Sequence, residues 1–302
     1  MIRAGNELMK LVREQLDLSQ GQLADHLHMT QRTVSRIETG KRDLGVWEYF
    51  ALMEMAGTPT EDLSLLTMES KEIRDYNAYK ELKRLLRDER HNEIRDILPE
   101  FEKGLISKQP FILQFVAFVK VFVDEGMSHE QKIEELHKIL QMSIKEFGDC
   151  DISTYRLTYN EIYIIFVIAM NLDSVGRVDC AINLYKAVVK SRGNALATDS
   201  DKAILFPALM FNLSTLLGKS GRYKEALSYC NDALGISKKY DKLRLIPYIL
   251  HNMASCYRLM GEEEHIYMTY LIRAYHTAHA LGNMEVVETI KSEAEKFGFT
   301  NI

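Results

Sequence analysis

Between Gln31 and Arg42 the chain gathers side chains suited to reading a nucleic acid. Gln31 carries an amide that can bond N6 and N7 of adenine together. Arg32 and Arg36 carry planar forks that match O6 and N7 of guanine. Thr33 can touch a thymine methyl, and Ser35, Lys41 and Arg42 can meet phosphate oxygens. Such chemistry needs a rigid support that presents all these groups on one side.

The flanking residues supply that support. Ser19 and Gln22 form the pattern Ser-x-x-Gln, which caps a helix start from both directions. Leu23, Ala24 and Leu27 then fall on one helical face. Thr30 can cap a second helix, in which Val34 and Ile37 point inward at i, i+3. Its outward positions are Gln31, Arg32, Thr33, Ser35 and Arg36. Gly40 stands where a left-handed helix end favours glycine.

The stretch LSQGQLADHLHMTQRTVSRIETGKR (18–42) resembles the helix-turn-helix of Xre-type phage repressors, and the likeness runs over about residues 3–66. It rests on the opening Ser-Gln, the Leu-Ala pair, the Thr before the second helix and the Ile-Glu-x-Gly-Lys close. The resemblance implies a five-helix DNA-binding domain over 1–66. Gln31, Arg32, Thr33 and Arg36 would read bases, and Gln20, Ser35, Lys41 and Arg42 would hold phosphates. Arg13 and Glu38 would pair beneath the motif. One such domain covers a half-site, so a dimer on two half-sites about 34 Å apart is the expected working form.

Charge narrows this picture. Residues 1–66 hold seven Lys/Arg against ten Asp/Glu, a net of −3. Four bases are concentrated between 32 and 42, with one acid, Glu38. A local patch of this kind predicts weak non-specific affinity and marked salt dependence.

The whole chain has 302 residues and a formal net charge of −5, which excludes a polybasic protein. The length allows roughly two domains. Four cysteines (Cys150, Cys180, Cys230, Cys256) stand singly, with no paired spacing, and read as reduced, buried thiols. The N-terminus has no signal-peptide pattern. The most apolar run, Ile162–Met170, is far short of the ~20 residues that span a bilayer. A cytoplasmic protein with no membrane contact is expected.

Catalysis finds no support. There is no Gly-rich phosphate loop, no HExxH and no Gly-x-Ser-x-Gly. No cofactor or metal is expected. His26 and His28 read as surface positions of the motif. His276 and His279, three apart on a late helix, lack a third ligand.

Beyond the motif the pattern is helical throughout. Residues 45–56 predict a fourth helix with Trp47, Phe50 and Ala51 on one face. A fifth starts near Thr60, which caps a Glu61-Asp62-Leu63 turn. Residues 67–90 read as a charged connecting helix with a solvated face, overlapping the first repeat of a domain over 72–302. Helical pairs follow at 72–87 with 90–103, 109–125 with 129–147, 155–175 with 177–192, 201–220 with 222–239, and 243–260 with 263–281. A last helix over 283–297 closes the stack. Gly126, Gly176, Gly221 and Gly261 recur at the inner turns, 50, 45 and 40 residues apart. Gly221-Arg-Tyr-Lys-Glu-Ala226-Leu, with Ala233-Leu seven residues on, resembles the second helix of a tetratricopeptide repeat; Leu213 and Ser214 fit the small-residue level of the first. Gly176 with Ala181, and Gly261, are partial matches. The spacing exceeds the roughly 34 residues usual for that repeat. The expected fold is all-α: the helix-turn-helix domain, then a right-handed solenoid of about five degenerate hairpins.

First helices of stacked pairs line a concave face. Overlaying the fourth and fifth pairs puts Asn212 and Asn252 in register, 40 residues apart. An Asn side chain matches both the donor and the acceptor of an extended peptide backbone. Phe211, Thr215 and Lys219 share this face in the fourth pair, His251, Ser255 and Arg258 in the fifth, and Phe166 and Met170 in the third. Lys120, Lys219 and Arg258 can meet a terminal carboxylate or an acidic side chain. Either Asn can instead hold neighbouring helices together. Asn160 and Asn171 fall out of this register.

This layout resembles the Rgg, PlcR, NprR and PrgX group of peptide-pheromone regulators. The resemblance implies a cytoplasmic homodimer that binds operator DNA and is controlled by a short linear signalling peptide. Two other readings stay open: the array holds a protein partner, or it serves only for dimerisation.

Overall fold

Caps and helical spacing set the elements along the chain. In the computed structural model, the described residues are 5–57, 71–105, 110–148 and 151–296. They form fifteen α-helices, three short 3-10 turns and one isolated bridge, with no strand among them. The architecture is all-α, a helix-turn-helix domain followed by helical repeats. Two units divide the chain: residues 1–176 with 193–198, and residues 177–192 with 199–302.

The first unit opens with α1 (Gly5–Gln15), α2 (Gln20–His26), α3 (Gln31–Glu38) and α4 (Val46–Met55). Met9, Val12, Leu23, Leu27, Val34, Ile37 and Leu52 close its core, and Leu196 joins them from far along the chain. Burying one such side chain contributes roughly 1.5–3 kcal/mol. The fifth helix expected near Thr60, with Glu61, Asp62 and Leu63, lies outside the described residues. So does Cys150.

The unit continues through α5 (Lys71–Arg87), α6 (His91–Gly104), α7 (Pro110–Val123), α8 (His129–Leu140) and α9 (Tyr159–Ser174). The charges of α5 are only in part a solvated face. Arg84 bridges Glu81 and Asp88 on the surface. Lys83, however, pairs with Glu54 of α4 and lies 3.8 Å from the centre of the Tyr159 ring. Two bounds also differ from expectation. The helix expected over 129–147 stops at Leu140 and gives way to turns. The helix expected from 155 starts at Tyr159, because Thr158 and Glu161 form a capping box there. Residues before it run extended, and Leu157 accepts a 2.8 Å hydrogen bond from the Leu196 N–H. Long-range pairing of this kind leaves no local signal.

The second unit holds α10 (Val178–Ser191), α11 (Asp199–Lys219), α12 (Tyr223–Lys239), α13 (Ile246–Leu259), α14 (Glu264–Ala280) and α15 (Met284–Lys296). Ala226, Ala233 and Leu213 have no exposed surface, nor does Ser214, so the small residues sit where helices approach. Gly221 and Gly261 adopt left-handed φ of 74° and 75°, with the following N–H reaching back to Leu217 O and Tyr257 O. This is the glycine helix end, which a side chain would strain. Gly282 repeats it after α14, at φ 69°. Gly126 does not: its turn is held by Asp124 Oδ1, which accepts from the Gly126 N–H at 2.7 Å.

Candidate nucleic-acid interface and ligand face

The α2–α3 motif is built from its caps. Ser19 Oγ accepts from the Gln22 N–H at 3.2 Å, and Gln22 Oε1 accepts from the Ser19 N–H at 2.9 Å. Thr30 Oγ1 accepts from the Thr33 N–H at 3.2 Å. Gly40 ends α3 at φ 68°. Beneath the motif, Arg13 donates through Nε to Glu38 Oε1 at 2.6 Å and through NH1 to Leu18 O at 3.0 Å. Its bond to Glu38 raises the Arg13 pKa above the ordinary value, against the opposing pull of burial.

Val34 and Ile37 have no exposed surface, so the opposite side of α3 is fixed toward solvent. Gln31, Arg32 and Arg36 are exposed there and make no hydrogen bond or ion pair among the described residues; neither does the Lys41 side chain. Thr33 is half-buried, its hydroxyl 2.9 Å from that of Thr30. Ser35 is half-buried as well. Two of the residues offered for phosphates are engaged inside the domain. Gln20 Nε2 donates to Glu38 Oε2 at 2.8 Å. Arg42 pairs with the buried Glu48 at 2.8 Å.

In the second unit, α11 and α13 bring the two asparagines to different ends. Asn212 is half-buried and has no polar partner among the described residues. Asn252 Nδ2 donates to Ser214 Oγ at 2.7 Å and lies 3.5 Å from Thr215 Oγ1 and 3.6 Å from Cys230 Sγ. Its amino group therefore ties α13 to α11, which is the bridging role that competes with a ligand clamp. Thr215 donates to Phe211 O at 3.0 Å, and the Phe211 ring meets Tyr248 edge-on at 6.1 Å. His251 and Arg258 both face Glu293 of α15: His251 is hydrogen-bonded to it, and Arg258 lies 3.8 Å away. Ser255 is half-buried, and Lys219 is exposed at the end of α11.

Sequence reasoning missed Tyr248, Asn283 and Glu293. Asn283 Nδ2 donates to Tyr248 Oη at 3.0 Å, so α15 closes on the same side of α13. The 42-residue offset of His251 and Glu293, close to the 40-residue glycine spacing, was the available signal.

The remaining candidates lie in the first unit. Lys120 pairs with Glu102 at 2.7 Å. Phe166 meets Tyr163 at 5.9 Å, and Met170 is 43 % exposed. Asn160 and Asn171 are satisfied locally. Asn160 bonds Tyr79 Oη and Phe111 O, each at 3.2 Å. Asn171 bonds Val167 O at 2.8 Å and His129 Nδ1 at 2.7 Å.

Two readings of titratable groups are corrected. His26 and His28 are half-buried rather than surface residues, and burial lowers the pKa of both rings. The cause is coverage by elements far along the chain, which the motif's own periodicity does not reveal. Cys180 is exposed, whereas Cys230 and Cys256 are buried, their thiols pushed up to about 11 and about 12 by loss of solvent. His276 and His279 are exposed beside the Tyr275 ring. Among the described residues no group of three or more His, Cys, Asp or Glu is placed to hold a metal ion. Nor is any helix among them long and apolar enough to cross a membrane.

Residues 7–66 match the helix-turn-helix domain family. No curated protein matches the chain in sequence. Among solved structures the chain is similar to Bacillus thuringiensis PlcR in complex with the peptide PapR7 and DNA, with a TM-score of 0.61 and 21% identity over 96% of this chain and 99% of that one. ComR from S. thermophilus, in complex with DNA and its signalling peptide, gives 0.54 and 17% over 97% and 99%. A single-residue variant of the SHP pheromone receptor Rgg2 of Streptococcus dysgalactiae gives 0.50 and 11% over 97% and 99%. The fold is common to all four chains along almost their full length.

Proposed function

We propose that this chain is a transcriptional regulator that binds operator DNA as a homodimer and responds to a short linear peptide held by its helical repeats. The observation that carries the reading is α3. Its buried face is locked by Val34 and Ile37, its base by Arg13 and Glu38, and its solvent side presents Gln31, Arg32 and Arg36 unengaged. A helix so presented fits the major groove. The shared fold with PlcR and ComR, both solved with DNA and a peptide, supports the same division of labour. Asn212, Phe211 and Tyr248 are the residues we assign to the ligand face, and Lys41 and Ser35 to phosphate. Such a regulator works in the cytoplasm and needs no cofactor.

A second reading draws on a specific observation. Asn252, His251 and Arg258 are already partnered by Ser214 and Glu293. That favours a repeat domain for dimerisation or a protein partner. Native mass spectrometry of the full chain, with and without the small-peptide fraction of the source culture medium, separates the two. One added peptide mass per subunit supports the first reading. A dimer that gains no mass in any growth phase rejects it in favour of the second.

A further inference from the structure

We propose that the seam between the helix-turn-helix domain and helices α5–α9 is a proton-sensitive joint, in which His26 and His28 must stay neutral for the domain to remain seated. Both sides of this seam belong to one compact body. His26, at the end of α2, and His28, in the α2–α3 turn, line a small cavity with Ala51, Glu54 and Met55 of α4. Tyr79, Phe111, Gln114, Thr158 and Asn160 close it from the other side. The cavity holds about 40 Å³, room for water but not for an organic ligand. Two imidazoles on a mostly apolar space that admits only water point to protons rather than to a small molecule.

His28 is fixed in the seam by its backbone and its ring. It adopts a left-handed φ of 51°, unusual for a residue with a side chain. The backbone of Met142, just past the end of α8, favours protonation of its ring, which burial outweighs. Gln114 anchors the same end, donating to Ile139 O at 3.1 Å and Ser143 Oγ at 2.9 Å.

The charged groups around the two rings come from α2, α4, α5, α9 and the segment before α9. Asp25 of α2 and Glu161 of α9 favour protonation of both rings. Arg156 opposes it at His26, and His26 opposes it at His28. Glu161 is held by Thr158, which donates to it through N and Oγ1 at 2.7 and 2.9 Å. Glu54 of α4 is paired with Lys83. Burial outweighs the acids, and both rings titrate below 6.5 when the seam is closed.

The sign follows from proton linkage. Well above pH 6.5 the rings are neutral whether the seam is closed or open, and protons do not discriminate. Below it the open form takes up protons that the closed form refuses. Closure therefore weakens as pH falls from 6.5 toward the lowered values, and it reaches a floor beneath them. The joint acts on the domain that carries α3, and the inference stands whether or not a peptide binds.

The chain carries its own reporter. Trp47 is its single tryptophan, 1 % exposed, and meets Phe111 of α7 at 6.1 Å. Trp47 emission of the full chain is followed from pH 8 to pH 5, with NMR titration of labelled imidazoles in parallel. The expected result is a red shift below pH 6.5, two imidazoles titrating below that value, and loss of the shift in His26→Gln/His28→Asn. Asparagine is chosen because it tolerates the left-handed backbone. Hydrogen exchange should show α2 and residues 139–143 losing protection while α11–α13 keep it. An unchanged shift in the double variant, or simultaneous loss of protection throughout, overturns the proposal. If the variant fails to fold, the unmodified chain decides alone: all imidazoles titrating at or above the ordinary value overturn it.

Discussion

Glu38 Oε1 lies 2.6 Å from Arg13 Nε, and with a second bond from Arg13 NH2 to Glu38 Oε2 at 3.3 Å this pair fastens α1 to the end of α3. Both side chains are largely covered, at 16% and 6% exposure. Removing one partner of a buried pair strands the other charge, at roughly 3–5 kcal/mol. Glu38→Ala should fall near the lower bound, because Arg13 keeps its bond to Leu18 O. Urea unfolding of the full chain, read at Trp47, checks this. Glu38→Gln should lose less, because its amide oxygen still accepts one hydrogen bond from Arg13. A Glu38→Ala profile that overlays the parent would mean the pair is ornamental to the domain.

Arg36 and Lys41 stand on the same surface but should fail differently. Arg36→Ala should cost about 1–3 kcal/mol of specific binding and relax base choice at one position. Lys41→Ala should weaken all sequences alike and lower the salt slope by about 1. Competition binding against an operator and its single-base variants, at several salt concentrations, separates the two. Equal losses on all sequences for Arg36→Ala would remove it from base reading.

The three described cysteines should separate by accessibility. Cys230 and Cys256 are buried with thiols pushed up to about 11 and about 12, so at pH 8 they hold their protons and stay covered. Cys180 is exposed. Since the thiolate is the reactive form, alkylation at pH 8 should mark Cys180 and spare the other two until urea is added. Peptide mapping reads this directly, and early modification of Cys230 would contradict the packing of α12 against α13.

Gly218 and Gly221 lie three residues apart and should respond to alanine in opposite directions. A Cβ on Gly218 would meet Cys256 Sγ at 3.6 Å and Asn252 Oδ1 at 3.9 Å, both ordinary contacts. Gly218→Ala should stabilise the second unit by roughly 0.5–1 kcal/mol through helix entropy. Gly221 has open space but φ 74°, so Gly221→Ala should cost about 1–2 kcal/mol of backbone strain. Thermal melting of the two variants checks the contrast, and a shared direction would reject it.

The parts of the fold legible in the sequence were those whose causes are local. Ser19, Gln22, Thr30 and Gly40 act within four residues of their targets, so motif and cap geometry could be read directly. The helical pairs followed from amphipathic spacing and recurrent glycine. What escaped depends on distant partners. The cover over His26 and His28 comes from residues between Tyr79 and Leu196. The extended pairing of Leu157 depends on Leu196, and the partnering of His251 depends on Glu293. Periodicity says which side of a helix a residue occupies, not what lies opposite. Asn212 and Asn252 illustrate the limit: equivalent in register, they differ in their hydrogen bonds.

That difference gives a test of the ligand face. Asn252→Ala removes the donor to Ser214 Oγ and should destabilise the second unit by about 1–3 kcal/mol. Asn212 has no polar partner among the described residues, so Asn212→Ala should leave melting within about 0.5 kcal/mol of the parent. If Asn212 binds a peptide backbone, its loss should abolish peptide response without touching stability or unliganded DNA binding. Calorimetric titration of the peptide found by mass spectrometry, beside a melting curve for each variant, keeps the two effects apart. Peptide affinity lost in Asn252→Ala alone, together with stability, would mark a scaffold effect. Affinity retained in both variants would remove the asparagines from recognition and shift the ligand face toward Phe211 and Tyr248.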